Sequence, residues 1–503
     1  MRRWLPRNVR LAIDRFIPDG DLTKRTIQSG AWEFAINIGT RSLQLIVLII
    51  LANLLSPRDF GLMGIALLVL AALKRFSRLG INQALIQHED DDVDRYLDTA
   101  FGLGIGRALL LSALAFAGAP LVAEVFSEPR VAPLLRFLAV SPLLLGLRNT
   151  GTVYFEKDLQ FHLKFVYRIS GSLVEFVVSI VWAYVYRDVW ALAVGYVAAD
   201  AVRIVVSYLI HDYRPRPALD VDMARELLDY GKWITANNVV TFLLEEGDDA
   251  VVGGVIGATA LGFYKYAYRI GNAPATEVTK VIGDVMFSSF SKLQNDDGAM
   301  RTAFVRTIRV VAAGSVPASI GIVVVAPVFV RGFLGDEWLP MVRVMQILSL
   351  YGLLLSMTTV FHQLWKAIGR PDLVTKLEVI RLVLLGALVL PATRFGIEGV
   401  AALVAGVYLA TTVPANLYLL RRLTDISRAR LGLELAYPLL AGLFMGVVVL
   451  FARSALSLPP IVEFATLVAV GVGTYLPAVL AIDSTVEWGL RRNLTTILHS
   501  LRS

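Results

Sequence analysis

Residues 30–62 read GAWEFAINIGTRSLQLIVLIILANLLSPRDFGL, and residues 231–263 repeat part of this pattern as GKWITANNVVTFLLEEGDDAVVGGVIGATALGF. Without gaps, the two stretches share seven residues, including the tryptophans Trp32 and Trp233, at a separation of 201 positions. Each stretch contains an apolar run long enough to begin a membrane-spanning helix. The repeat therefore predicts two halves that are built from related helices.

The composition excludes most classes of soluble protein. Of the 503 residues, 56% are hydrophobic and 18% are charged, with a mean hydropathy of +0.64. Soluble domains carry about 25% charged residues. The absence of cysteine excludes a disulfide framework, a thiolate metal site and a catalytic thiol. We therefore expect an all-α, polytopic membrane protein.

Apolar runs bounded by charged residues predict 14 transmembrane helices, which would use roughly 280 residues at about 20 residues each. The predicted spans lie near residues 27–55, 60–85, 97–119, 129–155, 162–186, 189–211, 232–256, 258–290, 302–333, 338–367, 372–393, 397–420, 433–454 and 459–482. The repeated stretches fall in the first and seventh spans, so an even number of spans separates equivalent helices. This spacing predicts two parallel six-helix lobes, followed by two C-terminal helices.

The predicted domains follow from these spans and from the charged segments between them. Two tails that interleave apolar residues with arginine are expected to lie on the cytoplasmic membrane surface as amphipathic segments. The predicted limits are 1–25 for the N-terminal tail, 26–211 for the N-lobe, 212–231 for a cytoplasmic linker, 232–422 for the C-lobe, 423–482 for spans 13 and 14, and 483–503 for the C-terminal tail.

The net charge of +7 is distributed along the chain as a topology signal. Lys and Arg are concentrated in the two tails and in every second loop, whereas the alternate loops hold at most one. The positive-inside rule then predicts a multi-pass protein of the cell membrane with both termini in the cytoplasm. Because the basic residues are not gathered in one patch with interleaved aromatics, we expect no nucleic-acid partner.

Polar side chains inside the predicted spans are the candidate site residues, because a charge in the membrane costs about 2.5–3.5 kcal/mol on insertion scales. We expect cations of spans 1 and 8 to neutralise a phosphate or diphosphate in a cavity between the lobes, beside polar residues of spans 1 and 7. The predicted substrate-binding residues are Arg41, Lys265, Arg269, Asn37, Gln44 and Asn238.

Acidic residues in spans 1 and 7 have three possible roles that the sequence leaves open. They pair with nearby cations, balance the charge of the cavity, or bind a coupling cation such as Na⁺ or H⁺. These residues are Glu33, Glu245, Asp248 and Asp249. We expect no metal site and no other cofactor, because the sequence holds no phosphate loop, metal-ligand histidine pair or nucleophile triad.

Other charges fall inside or near the ends of the spans. Asp200 and Arg203 are spaced as i and i+3, which favours a structural ion pair. Lys74 lies near the end of span 2, where snorkelling, topology and function are all open. Arg107 is embedded in span 3.

Several motifs resemble the polysaccharide transporter branch of the multidrug/oligosaccharidyl-lipid/polysaccharide flippase superfamily, and its colanic-acid exporter type in particular. Their order and spacing across spans 1–12 carry the resemblance, although Asp188 stands where the family usually has glycine. The segments are 55–61 (LSPRDFG), 80–87 (GINQALIQ), 189–192 (VWAL), 261–264 (LGFY), 267–269 (AYR), 335–338 (GDEW), 369–371 (GRP) and 396–401 (GIEGVA).

The resemblance implies the fold shared by multidrug exporters and lipid flippases, and a protein that is not an enzyme. Its expected activity is to move a polyprenyl-(di)phosphate-linked oligosaccharide across the cytoplasmic membrane by alternating access, for surface polysaccharide synthesis. Arg41 and Arg269 fall where such flippases tend to place cavity arginines. The implied partners are the lipid-linked oligosaccharide, membrane lipids and polysaccharide assembly enzymes.

Two alternatives stay open. A multidrug or cation antiporter of the same superfamily would be favoured by twelve spans and an acidic cavity. A membrane glycosyltransferase or polymerase would need a large extracytoplasmic loop, and the sequence shows only short ones.

Overall fold

The computed structural model describes residues 22–77, 94–218, 220, 223, 238–424, 426–486 and 488–489. Every regular element within these residues is helical, which confirms the all-α prediction. The chain divides into two compact units, Met1–Leu261 and Gly262–Ser503.

The first unit contains nine helices among its described residues, together with a 3₁₀ turn at Thr150–Val153 and a π-helical turn at Val252–Ile256. The helices are α1 (Leu22–Ala52), α2 (Pro57–Phe76), α3 (Asp94–Val125), α4 (Val131–Leu138), α5 (Val140–Gly146), α6 (Tyr154–Lys157), α7 (Phe161–Tyr186), α8 (Trp190–Ile210) and α9 (238–251).

The next helix begins in the first unit and continues into the second, whose core includes Phe304, Phe361 and the fully buried Trp365. The Trp365 Nε1–H donates to Asn416 Oδ1 at 2.8 Å. The helices are α10 (Ala258–Lys292), α11 (Asp297–Phe329), α12 (Val342–Ala367), α13 (Pro371–Ala392), α14 (Gly396–Leu423), α15 (Arg428–Ala455) and α16 (Pro460–Val486).

A buried ion pair joins the last two helices to the rest of the second unit. Arg309 of α11 donates from Nε and Nη2 to the Glu434 carboxylate of α15, at 2.9 and 2.8 Å. The indole N–H of Trp488, which follows α16, donates to the same carboxylate. One carboxylate on α15 thus connects three segments.

Eight described helices are long and apolar enough to cross a membrane, and a bent helix pair raises the number to nine. They are Ala35–Ala52, Tyr96–Val125, Phe161–Tyr186, Trp190–Ile210, Asp297–Leu334, Asp336–Ala367, Ala429–Ala455 and Pro460–Val486. The other predicted spans also fall on helices, namely α2, α9, α10, α13 and α14. The count of fourteen spans, the two-lobe arrangement and the domain limits stay predictions.

The predicted span near 129–155 is broken, with a bend of 78° between Val131–Gly146 and Thr150–Lys157. Asn149 lies at the break and satisfies the backbone groups that a break exposes. Its side-chain oxygen accepts from the Gly151 N–H at 2.9 Å, and its own N–H donates to Ser207 Oγ at 3.1 Å. Its amide nitrogen donates to the Tyr213 carbonyl at 2.7 Å.

The repeat found in the sequence recurs in the positions of the helix starts. Pro57 begins α2 and Ala258 begins α10, so these starts are 201 positions apart. The two starts also touch, because a Cβ on Gly61 would lie 1.7 Å from the Ala258 carbonyl oxygen. Only a glycine permits this approach. Ser56 caps α2, with its hydroxyl and Asp59 forming a capping box.

Some predictions concern residues outside the described ranges. These are the N-terminal tail through residue 21, the 80–87 motif, the linker at 221–231 apart from residue 223, and the C-terminal tail from residue 490. The described start of the linker lies against α3, where the Tyr213 hydroxyl donates to Asp98 Oδ1 at 2.6 Å.

Candidate functional site: a cationic cavity in the first unit

Four basic side chains line a cavity of about 390 Å³ in the first unit. Lys74 and Arg75 come from the end of α2, Arg107 from α3, and Arg148 from the break after α5. The other lining residues are apolar or small, apart from Thr150. Among the described residues, no acidic side chain belongs to the lining.

Lys74 is held through hydroxyl groups and makes no direct contact with a carboxylate in the described part of the chain. Its Nζ donates to Ser141 Oγ at 3.2 Å and to the Tyr196 hydroxyl at 3.3 Å. The Ser141 hydroxyl in turn donates to Asp200 Oδ2 at 2.6 Å. Asp200 also pairs with Arg203 at 2.8 Å, which confirms the predicted ion pair.

The two neighbouring arginines each have a defined partner. Arg107 donates from Nε to Ser77 Oγ at 3.0 Å and from Nη2 to the Lys74 carbonyl at 2.8 Å, so it caps the C-terminal end of α2. Arg75 pairs with Glu245 of α9 at 2.6 Å.

Arg148 differs from the other three cations. Its guanidinium makes neither an ion pair nor a hydrogen bond with any described residue. Glu245 is thus the one carboxylate that pairs directly with a lining cation in the described part of the chain. An excess of positive charge beside apolar walls favours an anionic ligand, because a bound anion restores the electrostatic stabilisation that burial removes.

A smaller pocket of about 80 Å³ adjoins the cavity through Arg148. It is lined by Arg148, Thr152, Val153, Phe155, Glu156, Lys164, Tyr167 and Arg168. Lys164 Nζ lies 3.0 Å from Glu156 Oε1 and 3.0 Å from Glu33 Oε2 of α1.

The predicted residues of span 1 lie along α1 in the first unit. Asn37 is half-buried, whereas Arg41 and Gln44 are exposed. Glu33 is the partner of Lys164. None of these side chains lines the cationic cavity described above, within the part of the chain that the structure describes.

The predicted residues of span 7 lie on α9, also in the first unit. The Asn238 side-chain nitrogen is buried and has no hydrogen-bond partner among the described residues. Glu245 is exposed and pairs with Arg75, Asp248 is half-buried, and Asp249 is buried. Of the predicted acidic residues, Glu245 therefore lies beside the cationic cavity, through its ion pair with the lining residue Arg75.

The two predicted cations of span 8 belong to the second unit. Lys265 and Arg269 are half-buried on α10 and are one helical turn apart. The predicted site that joins them to α1 and α9 stays a prediction.

Arg75 and Arg148 are not among the site residues predicted from the sequence. The four cavity cations are far apart in sequence, so no local spacing marks them as a group. The available signal was weaker, namely that each is a basic residue at or near the end of an apolar run.

Comparisons with known proteins agree with the fold described here. The family model "Polysaccharide biosynthesis protein" matches residues 50–343. Lipopolysaccharide biosynthesis protein WzxC of Escherichia coli (strain K12) is 26% identical over 382 residues, which cover 75% of this chain and 77% of WzxC. Succinoglycan biosynthesis transport protein ExoT of Rhizobium meliloti (strain 1021) is 22% identical over 350 residues, covering 69% of this chain and 70% of ExoT.

Among solved structures, lipid II flippase MurJ in an inward closed conformation matches with a TM-score of 0.73 and 15% sequence identity. The match covers 90% of this chain and 99% of MurJ. At this identity the likeness shows that the two chains share a fold.

Proposed function

The chain belongs to the polysaccharide biosynthesis protein family, as its motifs predicted, and we propose that it is a flippase for polyprenyl-(di)phosphate-linked oligosaccharides. It is a multi-pass membrane protein, and its relatives include a named transport protein of polysaccharide biosynthesis. The lipid II flippase with the same fold is a further support for transport of a lipid-linked sugar.

The cationic cavity is the observation that carries this proposal. An oligosaccharide is too polar to cross about 30 Å of hydrocarbon unaided, and the phosphate that links it to the lipid is anionic. Lys74, Arg75, Arg107 and Arg148 offer ammonium and guanidinium donors that match phosphate oxygens. The lipid tail would stay in the bilayer while these cations hold the phosphate.

The predicted residues outside this cavity complete the proposed path. Arg41, Lys265 and Arg269 would take the phosphate during passage, and Asn37, Gln44 and Asn238 would contact sugar. The gradient of a coupling cation, Na⁺ or H⁺, would supply the energy, and the acidic residues Glu33, Glu245, Asp248 and Asp249 would bind that cation or balance the charge of the cavity. The proposal includes both termini in the cytoplasm and a chain without enzymatic activity.

The test measures flipping in vesicles that contain the purified protein and a polyprenyl-diphosphate-linked oligosaccharide, with a lectin reporting sugar in the outer leaflet. We expect Arg107→Gln to slow flipping at least tenfold, because a charge-assisted hydrogen bond contributes about 1.5–3 kcal/mol. Arg187→Gln is the matched control, since Arg187 is exposed at the far end of α7.

Because Arg107 also caps α2, Arg148→Gln serves as a second variant that removes a charge and breaks no described bond. Unchanged flipping in both variants would remove the cavity from the proposal. In cells, a gene deletion that leaves lipid-linked oligosaccharide normally distributed between the leaflets would contradict the flippase function itself.

A further inference from the structure

The smaller pocket beside the cationic cavity is large enough for a small anion. Its volume of about 80 Å³ exceeds several-fold the roughly 10–15 Å³ that one water molecule needs. It lies between α7 and the broken segment before it, and three of its lining residues, Arg148, Lys164 and Arg168, are basic.

Positive charge in this pocket is only partly compensated. Arg148 and Arg168 make no ion pair with any described residue. Lys164 contacts the carboxylates of Glu33 and Glu156, each at 3.0 Å. Arginine presents planar pairs of N–H donors that suit phosphate, so the two unpaired guanidinium groups favour a phosphate group as ligand.

Glu33 reaches Lys164 from a different helix than the residues that line the pocket. It belongs to α1, which packs closely on α7: the Trp32 and Phe165 rings lie 5.2 Å apart, and a Cβ on Gly39 would lie 3.2 Å from Ile169 Cδ1. The Glu33 side chain is 38% exposed, so it has room to turn away from Lys164. The ion pair with Lys164 is therefore exchangeable.

We propose that this pocket is a second anion-binding subsite that takes a phosphate group, and that the bound phosphate competes with Glu33 for Lys164. The phosphate oxygens accept hydrogen bonds from Arg148 and Arg168, and the Lys164 ammonium turns from Glu33 to the ligand. Binding then removes an ion pair between α1 and α7. The subsite does not depend on transport, because it holds phosphate whether or not the protein flips a lipid.

The first test is a titration of the purified full-length protein, in phosphate-free detergent, with inorganic phosphate, followed by ³¹P NMR line broadening. We expect Arg168→Gln to weaken binding about tenfold, because it removes a charged donor. Glu33→Gln should tighten binding roughly threefold to tenfold, because it removes one of the two carboxylates that pair with Lys164, and with it one negative charge. Arg187→Gln should bind like the wild type.

The opposite effects expected for Arg168→Gln and Glu33→Gln on phosphate affinity separate the proposal from a general loss of structure. Phosphate binding that is unchanged in Arg168→Gln, or no tighter in Glu33→Gln, would overturn it. Arg168→Lys retains the charge and should stay within about threefold of the wild type. Binding lost in Arg168→Lys as completely as in Arg168→Gln would also count against the proposal.

A second experiment, in lipid nanodiscs, distinguishes a lipid headgroup from free phosphate as the source of the phosphate group. If a lipid headgroup is the natural occupant, discs containing phosphatidylglycerol will block inorganic phosphate, whereas discs of phosphatidylcholine alone will not. If free phosphate is the occupant, both discs will permit the same binding. Absence of phosphate binding in detergent and in phosphatidylcholine discs would contradict the subsite.

Release of α1 from α7 can be measured separately with spin labels, because the chain contains no native cysteine that would also be labelled. Spin labels attached after Ser42→Cys on α1 and Val166→Cys on α7 report the distance between two exposed positions. We expect phosphate to broaden the distance distribution in the wild type, and Glu33→Gln to be broad already without phosphate. A distribution that neither phosphate nor Glu33→Gln changes would refute the competition.

Discussion

Arg148 and Lys74 show two ways in which the first unit keeps a cation beside an apolar wall. Lys74 is connected to the buried Asp200 through Ser141, so its charge is stabilised without being neutralised by direct contact. Arg148 lacks an ionic partner among the described residues and lies where two pockets meet. Both arrangements leave donors available to a ligand.

Substitution of Arg269 tests the part of the proposed phosphate path that lies in the second unit. We expect Arg269→Ala to reduce export at least tenfold while leaving the amount of protein in the membrane unchanged, because a cation that holds phosphate contributes about 1.5–3 kcal/mol. Export is measured as surface polysaccharide in a complemented deletion strain, and membrane insertion by immunoblot. Arg343→Ala is the control, since Arg343 is exposed. Normal export by Arg269→Ala would remove this residue from the path.

Single residues could be predicted from the sequence only where a local spacing marked them. The i, i+3 spacing of Asp200 and Arg203 was enough to predict their ion pair. Arg75 and Arg148 were missed because tertiary packing alone brings α2, α3 and the segment after α5 around one cavity. The pairing of Glu245 with Arg75 likewise depends on how α9 packs.

At the scale of helices, the ion pair between α11 and α15 sets the attachment of the last two helices. The side chains of Arg309 and Glu434 are only 12% and 7% exposed. We expect Glu434→Gln to lower the free energy of unfolding by about 3 kcal/mol, because it leaves the Arg309 charge buried without its partner. Thermal unfolding in detergent, followed by tryptophan fluorescence, measures this change.

Glu398→Gln is the matched control for that substitution. Glu398 lies 3.6 Å from Arg343, and the two side chains are 44% and 76% exposed. Exposed pairs contribute about 0–1 kcal/mol, so we expect little change. Equal destabilisation by both substitutions would show that burial does not determine the contribution of the α11–α15 pair.

The contact between the starts of α2 and α10 gives a second prediction at this scale. In Gly61→Ala the new methyl group would meet the backbone of Ala258, which cannot move aside as a flexible side chain can. We expect a loss of about 2–3 kcal/mol or failure to fold, as in overpacked cores. The yield of monodisperse protein and its unfolding temperature measure the effect.

Gly106→Ala on α3 provides the comparison, because a Cβ there meets nothing within 4 Å. Alanine is favoured over glycine in a helix by roughly 0.5–1 kcal/mol, so this variant should be as stable as the wild type or more so. A Gly61→Ala protein as stable as Gly106→Ala would mean that the two helix starts do not touch.

The helices themselves were largely predictable, because long apolar runs end at charged residues and each predicted span falls on one or more helices. The break at Asn149 was not. The polar stretch 148–151 (RNTG) interrupts the apolar run, but the 78° bend also depends on contacts of Asn149 with Ser207 and Tyr213, which are distant in the sequence.

For the whole molecule, the distribution of basic residues predicts the orientation in the membrane. We expect a cysteine introduced by Arg187→Cys to react with a membrane-impermeant maleimide from outside intact cells, and one introduced by Lys292→Cys to react only after permeabilisation. The chain's lack of cysteine makes each label specific. Labelling with the opposite pattern would invert the predicted topology, and labelling of both sites from one side would contradict the predicted number of spans between them.

The broken span also bears on the order in which the chain is completed during synthesis. The apolar segment Val131–Gly146 is shorter than the about 20 residues that a straight helix needs to cross the bilayer. The hydroxyl and carbonyl that satisfy Asn149 belong to Ser207 and Tyr213, 58 and 64 positions later. Until the ribosome has produced α8 and the residues after it, these polar groups at the break lack their partners. We therefore expect this segment to settle in the membrane only after α8 has been inserted, so its final position is reached later than its place in the sequence suggests.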